Sequence, residues 1–581
     1  MKTAQLTLLE ASEEQLSNSK SAVSLGRYSN LDTEKLRGGY YTPENVASWI
    51  AKWAVRDGHE SVLEPSCGDG VFLEAIASRI NSLGKNLKIG SWQLVGVEVV
   101  KEEAEKSKAR VDKCLGKCST AVSVMPQDFF SWWSTSRQKS VDVVVGNPPF
   151  IRYQSFPESS RERAMEIMRT LGLRPNRLTN IWVPFVVASV ALLKPGGRLG
   201  MVIPAELLQV SYASQLRSFL TDRFRRIDII ACNDLLFVNA EQEIVLLLAD
   251  DLVDAPSEQN ICRVALTEIG SVDQLMKSEP AKLLAKSQRK QIRHDSEKWL
   301  KYFLSNREIE LMRRLREADE VTVLASHASV DVGVVTGRND FFLLSAEQVA
   351  QYGVNRYVTP VVGRSAQIRG VRFTDTDWAA LATRGERVHL LNLGLINGHS
   401  LPKECLGYIK AAEAASIHQG YKCSIRVPWY VVPSIWSPDC FFFRQIYDFP
   451  RAIINRAGAT STDTIHRMKC RTKPELVVKS LYTSLTAASA EIEGRSYGGG
   501  VLELEPTEAE RLLMPAQLHS GLPLDECDRL LRTNRLDALI SENDRYILRQ
   551  GIGLDRVDCK TLNGIWMKMR ERRFSRRRRA S

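Results

Sequence analysis

Between residues 38 and 254 short apolar runs alternate with longer amphipathic stretches. "SVLEPSCGDG" reads as a strand entering a loop, and "VFLEAIASRINSL" as a helix with one apolar face. "WQLVGVEVV" is a strand, "KEEAEKSKARVDKCL" a helix and "VDVVVGNPP" a strand. "WVPFVVASVALLKPGG" reads as a buried helix ending on glycine, "RLGMVIP" as a strand and "SQLRSFLTDRF" as a helix, with "RIDIIAC" and "EIVLLLA" as late strands. Such alternation predicts a doubly wound α/β sheet, whose ligands lie beyond the carboxyl ends of its strands. Past residue 254 the rhythm breaks. Residues 255–320 are charged with helical spacing and read as a connector. Residues 321–523 have short strands rich in Gly, Pro, Trp and Tyr, predicting an irregular β-rich domain. Residues 524–581 return to helical spacing, and residues 1–37 form a polar arm.

Composition narrows the class. A chain of 581 residues, 44% hydrophobic, holds ample core for about two to four domains. No apolar run reaches the roughly 18 residues of a membrane span, and the N-terminus is too acidic for a signal peptide. A cytoplasmic protein with reduced thiols is the expectation. The eleven cysteines are scattered, and Cys114 and Cys118 lack a second pair to complete a metal site, so no metal is implied. The net charge of +11 is compatible with nucleic acid, and also with solvated lysine faces. Seven arginines crowd the last dozen residues, as a solubilising tail or a phosphate-binding arm.

Candidate chemistry collects at predicted strand ends. In "LEPSCGDGVFLEAI" a strand runs into Gly68-Asp69-Gly70 and then a helix, so the backbone can approach a ligand and free N–H groups can face an anion. Glu98 ends the next strand, where a carboxylate accepts the hydroxyls of a ribose. Asp128 follows the third strand and can accept from an adenine amino group. Each alone is more often a helix cap or a surface acid; three at consecutive strand ends describe an adenosine pocket.

The fourth strand ends on Asn147-Pro148-Pro149-Phe150, on the same edge. An amino group on an aromatic base is a poor nucleophile because its lone pair is delocalised into the ring. Two acceptors binding both amino hydrogens localise that pair. The Asn147 side-chain oxygen is one, and the Pro148 carbonyl, held by two prolines of fixed φ, is the other. Phe150 offers a stacking face worth about 1–3 kcal/mol per base. Positioning of this kind needs no strong general base. The alternative is a rigid structural loop.

These segments resemble the motifs of adenine-N6 DNA methyltransferases of restriction systems, in the gamma order: "GGYYTPENVASWI", "EPSCGDGVFL", "NPPF", then a target-recognition domain. The resemblance implies a Rossmann-like methyltransferase sheet, S-adenosylmethionine as cofactor and a base flipped out of double-stranded DNA. It places Thr42 and Pro43 over the methionine part of the cofactor and Glu64, Cys67, Gly68 and Gly70 in the strand–loop–helix motif. Glu98 is then the ribose-binding acid and Asp128 the adenine-binding acid, with Phe237 stacking on the far face of the flipped base. Phe150 stands where the family commonly has tyrosine, keeping the ring and losing the hydroxyl. "VDVGVVTGRNDFF", "RVPWYVVP", "STDTIHRMK" and "GRSYGGGVLELEP" look like landmarks of the recognition domain. Arg338 and Asn339 suit guanine and adenine edges, or are plain loop residues.

The resemblance also implies pairing with a restriction endonuclease; a monomer is expected. Competing readings are a cytosine-N4 enzyme, an RNA or protein amine methyltransferase with the same tetrapeptide, and a DNA-binding protein on a dead methylase fold. A fused nuclease is also possible in principle, but no nuclease motif precedes the catalytic domain.

Overall fold

The computed structural model describes residues 42–83, 92–115, 121–136, 140–176, 179–232, 243–255, 262–290, 292–293, 297–396, 401–496 and 498–577. The expected arm at 1–37 and Phe237 lie outside them. The chain forms two units, residues 1–296 and 297–581.

The first unit is built on eight strands: β1 (Ser61–Glu64), β2 (Gln93–Glu98), β3 (Val122–Pro126), β4 (Val141–Gly146), β5 (Leu193–Pro204), β6 (Phe224–Cys232), β7 (Ile244–Leu252) and β8 (Arg263–Ile269). They are ordered β3-β2-β1-β4-β5-β7-β6-β8, and β7 alone runs against the others. The order reverses direction between β1 and β4, which opens a crevice at their carboxyl ends.

Near-continuous apolar runs make these strands because both faces are covered. Helices α1 (Glu44–Ala54), α2 (Val71–Leu83) and α3 (Lys101–Leu115) share a core with Val143 and Val145, alternate residues on one face of β4. Helices α4 (Phe129–Thr135), α5 (Glu158–Thr170) and α6 (Trp182–Leu192) pack with one another, and α6 is buried all round. No described helix is long and apolar enough to cross a membrane.

Two sequence expectations are corrected here. Helix α6 stops at Leu192 rather than on glycine, because Leu193 already pairs with Val141; the glycines form an irregularity between that pair and Val143–Arg198. Residues 255–320 are not one helical connector: Arg263–Ile269 extends the sheet beside β6, and residues from 297 onward belong to the second unit.

The second unit combines a five-stranded sheet with smaller sheets and helices. Cys440–Phe443 sits in the middle of the larger sheet, between Ile465–Cys470 and Ala452–Asn455. Phe441, Phe442, Tyr482 and Trp566 fill its core together with the buried helices Pro474–Leu481 and Ser484–Glu493. Helices Leu524–Arg532, Leu536–Asn543 and Arg556–Arg577 close the chain, as the final helical spacing predicts. The arginine-rich end is not a plain tail. Arg573 is 3% exposed and bonded to Glu491 through two nitrogens, and Arg572 lies over the Phe303 ring.

Candidate active site

The end of β1 runs from Glu64 through Pro65, Ser66 and Cys67 to the glycine loop. That loop is tied to the end of β2: Cys67 N donates to Val97 O (3.0 Å), and Gly68 N to Glu98 Oε2 (2.9 Å). Val100 N donates to the other oxygen of Glu98, also at 2.9 Å. Backbone donors thus fix the orientation of this carboxylate, and each oxygen keeps a second lone pair for a hydroxyl. Gly70 has φ +91°, and a Cβ there would lie 2.5 Å from Ser107 Oγ and 2.8 Å from Ser107 Cα. Only glycine lets the loop settle on α3, with α2 starting at once beyond it.

Three carboxyl groups share this edge. Glu64 is 1% exposed; burial first, then the charges of Asp69 and Glu98, hold its carboxyl well above the usual range, against a downward pull from the Leu73 N–H. Asp69 accepts from Arg110 Nη1 (2.9 Å), and Arg110 also reaches Glu44 (2.6 Å) and Glu74. Glu64 Oε2, Asp69 Oδ1 and Thr42 Oγ1 are nevertheless buried without a hydrogen-bond partner. Buried polar atoms of this kind are normally satisfied. A cationic ligand with hydroxyl and amino donors would satisfy them, which fits the chemistry of S-adenosylmethionine. Thr42 and Pro43 stand immediately before α1, with Pro43 as its N-cap. Cys67 is buried, and burial first, then the neighbouring Glu64 carboxyl, pushes its thiol up.

Asp128 sits where the third strand gives way to α4. Its Oδ1 caps that helix, accepting from Ser131 N (2.9 Å) and Ser131 Oγ (2.8 Å), which is the helix-cap reading of this residue. Phe129 and Phe130, which follow it, pack on Phe185 of α6 with centroids 5.1 and 4.8 Å apart.

The tetrapeptide leaves β4 beside this edge. Gly146 has φ +151°, and a Cβ on it would be 3.4 Å from Glu64 Cγ, so β4 ends against the Glu64 side chain. Ser66 Oγ donates to the Asn147 carbonyl (3.1 Å), which joins the glycine loop to the tetrapeptide across the crevice. The Asn147 side-chain oxygen is buried, and Pro148 is buried between the half-buried Asn147 and Pro149. Phe150 is partly buried against the core shared with α1 and α2. Ile181 N donates to Ile151 O (3.1 Å), fixing the segment beyond the tetrapeptide to the start of α6.

The structure therefore brings Glu64, Cys67, Gly68, Gly70, Glu98 and Asn147 to one sheet edge, with Asp128 at the end of β3. Sequence reasoning missed Ser66, Ser107 and Arg110. Ser66 lay inside a quoted motif, whereas Ser107 and Arg110 sit on a charged helix with no local signal. In the second unit, Arg338 donates twice to Asp340 (3.2 and 3.0 Å) and Asn339 Oδ1 accepts from Thr336 Oγ1 (2.5 Å), so both have local partners.

Comparison with known proteins agrees with this geometry. The model of the N-6 DNA Methylase family matches residues 24–322, and that of the C-terminal domain of the Type II methyltransferase M.Eco57I matches residues 296–548. The Type II methyltransferase M.AccI of Acinetobacter calcoaceticus is 24% identical over 502 residues, covering 84% of this chain and 86% of that protein. M.BanIII of Aneurinibacillus aneurinilyticus is 26% identical over 224 residues, 35% of this chain and 37% of its own. Among solved structures, the Type IIL restriction-modification enzyme MmeI in complex with DNA superposes with a TM-score of 0.54 at 11% identity, covering 91% of this chain and 75% of that one. The chain belongs to the N-6 DNA methylase family and is a DNA methyltransferase of the Type II restriction-modification kind.

Proposed function

We propose that the protein transfers a methyl group from S-adenosylmethionine to N6 of an adenine flipped out of double-stranded DNA, protecting its recognition site from a cognate restriction endonuclease. The observation that carries this reading is the Ser66–Asn147 bond, which holds the amide-bearing tetrapeptide against the acidic edge at the crevice. S-adenosylmethionine supplies, when bound, a methyl group on a positively charged sulfur. Glu98 takes the ribose hydroxyls, Asp128 the adenine amine, and Thr42 and Pro43 cover the methionine end. Glu64 and Asp69 favour the cationic cofactor and hold its product, which has lost the sulfonium charge, less well. Asn147 Oδ1 and the Pro148 carbonyl accept the two hydrogens of the target amine and localise its lone pair, and the proton leaves to solvent after transfer. Phe150 stacks on the extruded base, with Phe237 for its other face.

Cytosine N4 is the second reading, since the same two acceptors serve either amine. Asparagine at the head of the tetrapeptide favours adenine by resemblance. DNA methylated with labelled cofactor, digested to nucleosides and separated by mass, is expected to carry label in N6-methyladenine; label confined to N4-methylcytosine overturns the assignment. Asn147→Ala is expected to abolish transfer while cofactor affinity, by calorimetry, changes little. Equal loss of both on a folded variant makes Asn147 structural.

A further inference from the structure

Three of the four second-unit segments quoted from the sequence converge on one groove of about 470 Å³. Val332–Val335 of "VDVGVVTGRNDFF" form one part of its lining. Gly333 passes so close to Thr462 of "STDTIHRMK" that a Cβ would sit 1.9 Å from the Thr462 carbonyl oxygen. Arg467 of that segment donates to the Val332 and Ser434 carbonyls, at 2.9 and 2.6 Å, with Trp436 under its guanidinium. Arg426, which opens "RVPWYVVP", donates to the Thr336 and Val335 carbonyls at 2.8 and 2.5 Å. The segment carrying it packs against Gly337, whose Cβ would meet Lys422 Cβ at 2.6 Å.

That segment presents apolar side chains to solvent. Tyr421 is 74% exposed, Ile425 61% and Val427 99%, three large apolar residues within seven positions. An exposed cluster beside a groove marks an interaction surface. Its charge selects the partner: Lys422 and Arg426 line the groove beside the buried Arg467, whose guanidinium is committed to backbone carbonyls; no Asp or Glu lines it, and among the described residues neither Lys422 nor Arg426 forms an ion pair with a carboxylate. A protein partner of ordinary surface would not require that one-sided charge, whereas a nucleic-acid groove flanked by phosphates does.

We propose that the segment from Tyr421 to Val427, the short helix Tyr421–Ser424 and the residues that follow it, enters a groove of double-stranded DNA, with Ile425 and Val427 making apolar contacts to base edges while Lys422 and Arg426 beside them face the phosphate backbone. The inference rests on the DNA-methylation reading and assigns its sequence choice to a surface. Apolar contacts to thymine methyl groups, or wedging between base steps, discriminate sequence, whereas phosphate contacts do not.

The test uses the full chain. The methylated motif is first read from DNA of cells expressing the wild-type protein; absence of any methylated motif refutes the functional reading itself. A duplex carrying that motif and a scrambled duplex are then titrated with wild type and with the Ile425→Ser/Val427→Ser double variant. Both positions are exposed, so the fold should survive, and unchanged calorimetric binding of S-adenosylmethionine verifies the first unit. The expected result is at least a tenfold loss of affinity for the motif duplex, with scrambled-duplex affinity and the salt slope unchanged. Unchanged motif affinity overturns the proposal and leaves the apolar segment to a protein partner; an equal loss on both duplexes overturns it in favour of a non-specific contact.

Discussion

Burial, with Asp69 and Glu98 beside it, raises the Glu64 carboxyl well above its usual range. A cation arriving at that edge favours the ionised form, so binding S-adenosylmethionine should expel a proton. Wild-type affinity is therefore expected to rise with pH while Glu64 remains protonated in the free protein. Glu64→Gln, which cannot ionise, should bind more weakly and release less protons on binding, measured by calorimetry in buffers of different ionisation enthalpy. Identical proton release from both proteins removes Glu64 from the linkage. Asp544 in the second unit is a separate case. Burial raises its carboxyl to about 6, against the pull of Ser484, whose N–H donates to Oδ1 at 2.8 Å. Because the folded value is raised, the contribution to stability is complete below the unfolded value near pH 4 and is lost as pH rises through 6; above that the cost is about 2–3 kcal/mol. Asp544→Asn keeps an acceptor for Ser484 and carries no charge. It is expected to be more stable than wild type at pH 8, with the advantage shrinking toward pH 5 in denaturant titrations. A pH-independent difference refutes the assignment.

At the scale of elements, the last helix shows how a charge run misleads. "RERRFSRRRR" reads as a tail because the partners that bury its arginines lie far away in sequence. Glu491 is 82 positions before Arg573, and Arg573 also donates to the Gly500 carbonyl (2.5 Å) and the Tyr447 carbonyl (3.0 Å). Removing one partner of a buried pair costs about 3–5 kcal/mol because the other charge stays buried. A chain ending at residue 569 is thus expected to lose the thermal transition of its second unit, whereas one ending at Ser575 keeps a midpoint near wild type. Equal midpoints would make the helix end dispensable. The same physics set the limits of legibility elsewhere. Glu64 came only from the family resemblance, whereas Glu98 and Asn147 were readable as strand-end residues because apolar runs fix where strands end. Arg110 was not, since its partners Glu44 and Asp69 come from other elements, and β8 was not, since "RVALTEI" is an edge strand with exposed positions in a charged stretch. Nor did spacing reveal that three second-unit segments share a groove, because that depends on strand pairing across more than a hundred residues.

For the whole molecule, division of labour between the two units is the remaining question, and β8 decides how to ask it. It pairs with β6 from Arg226–Arg263 to Cys232–Ile269 and covers what would otherwise be an open edge of the catalytic sheet. A fragment ending at residue 254, where the alternating pattern stops, would expose that edge and a row of unpaired backbone groups, a template for aggregation. A fragment of residues 1–296 retains β8 and the core it shares with helices Val272–Met276 and Pro280–Ala285. It is expected to remain monodisperse in light scattering and to bind S-adenosylmethionine with affinity close to that of the full chain, while the shorter fragment aggregates. If sequence choice resides in the second unit, the longer fragment should also fail to distinguish the methylated motif from a scrambled duplex. Discrimination by residues 1–296 alone would move recognition into the catalytic unit, and loss of cofactor binding from a folded fragment would mean that the second unit helps to build the cofactor site.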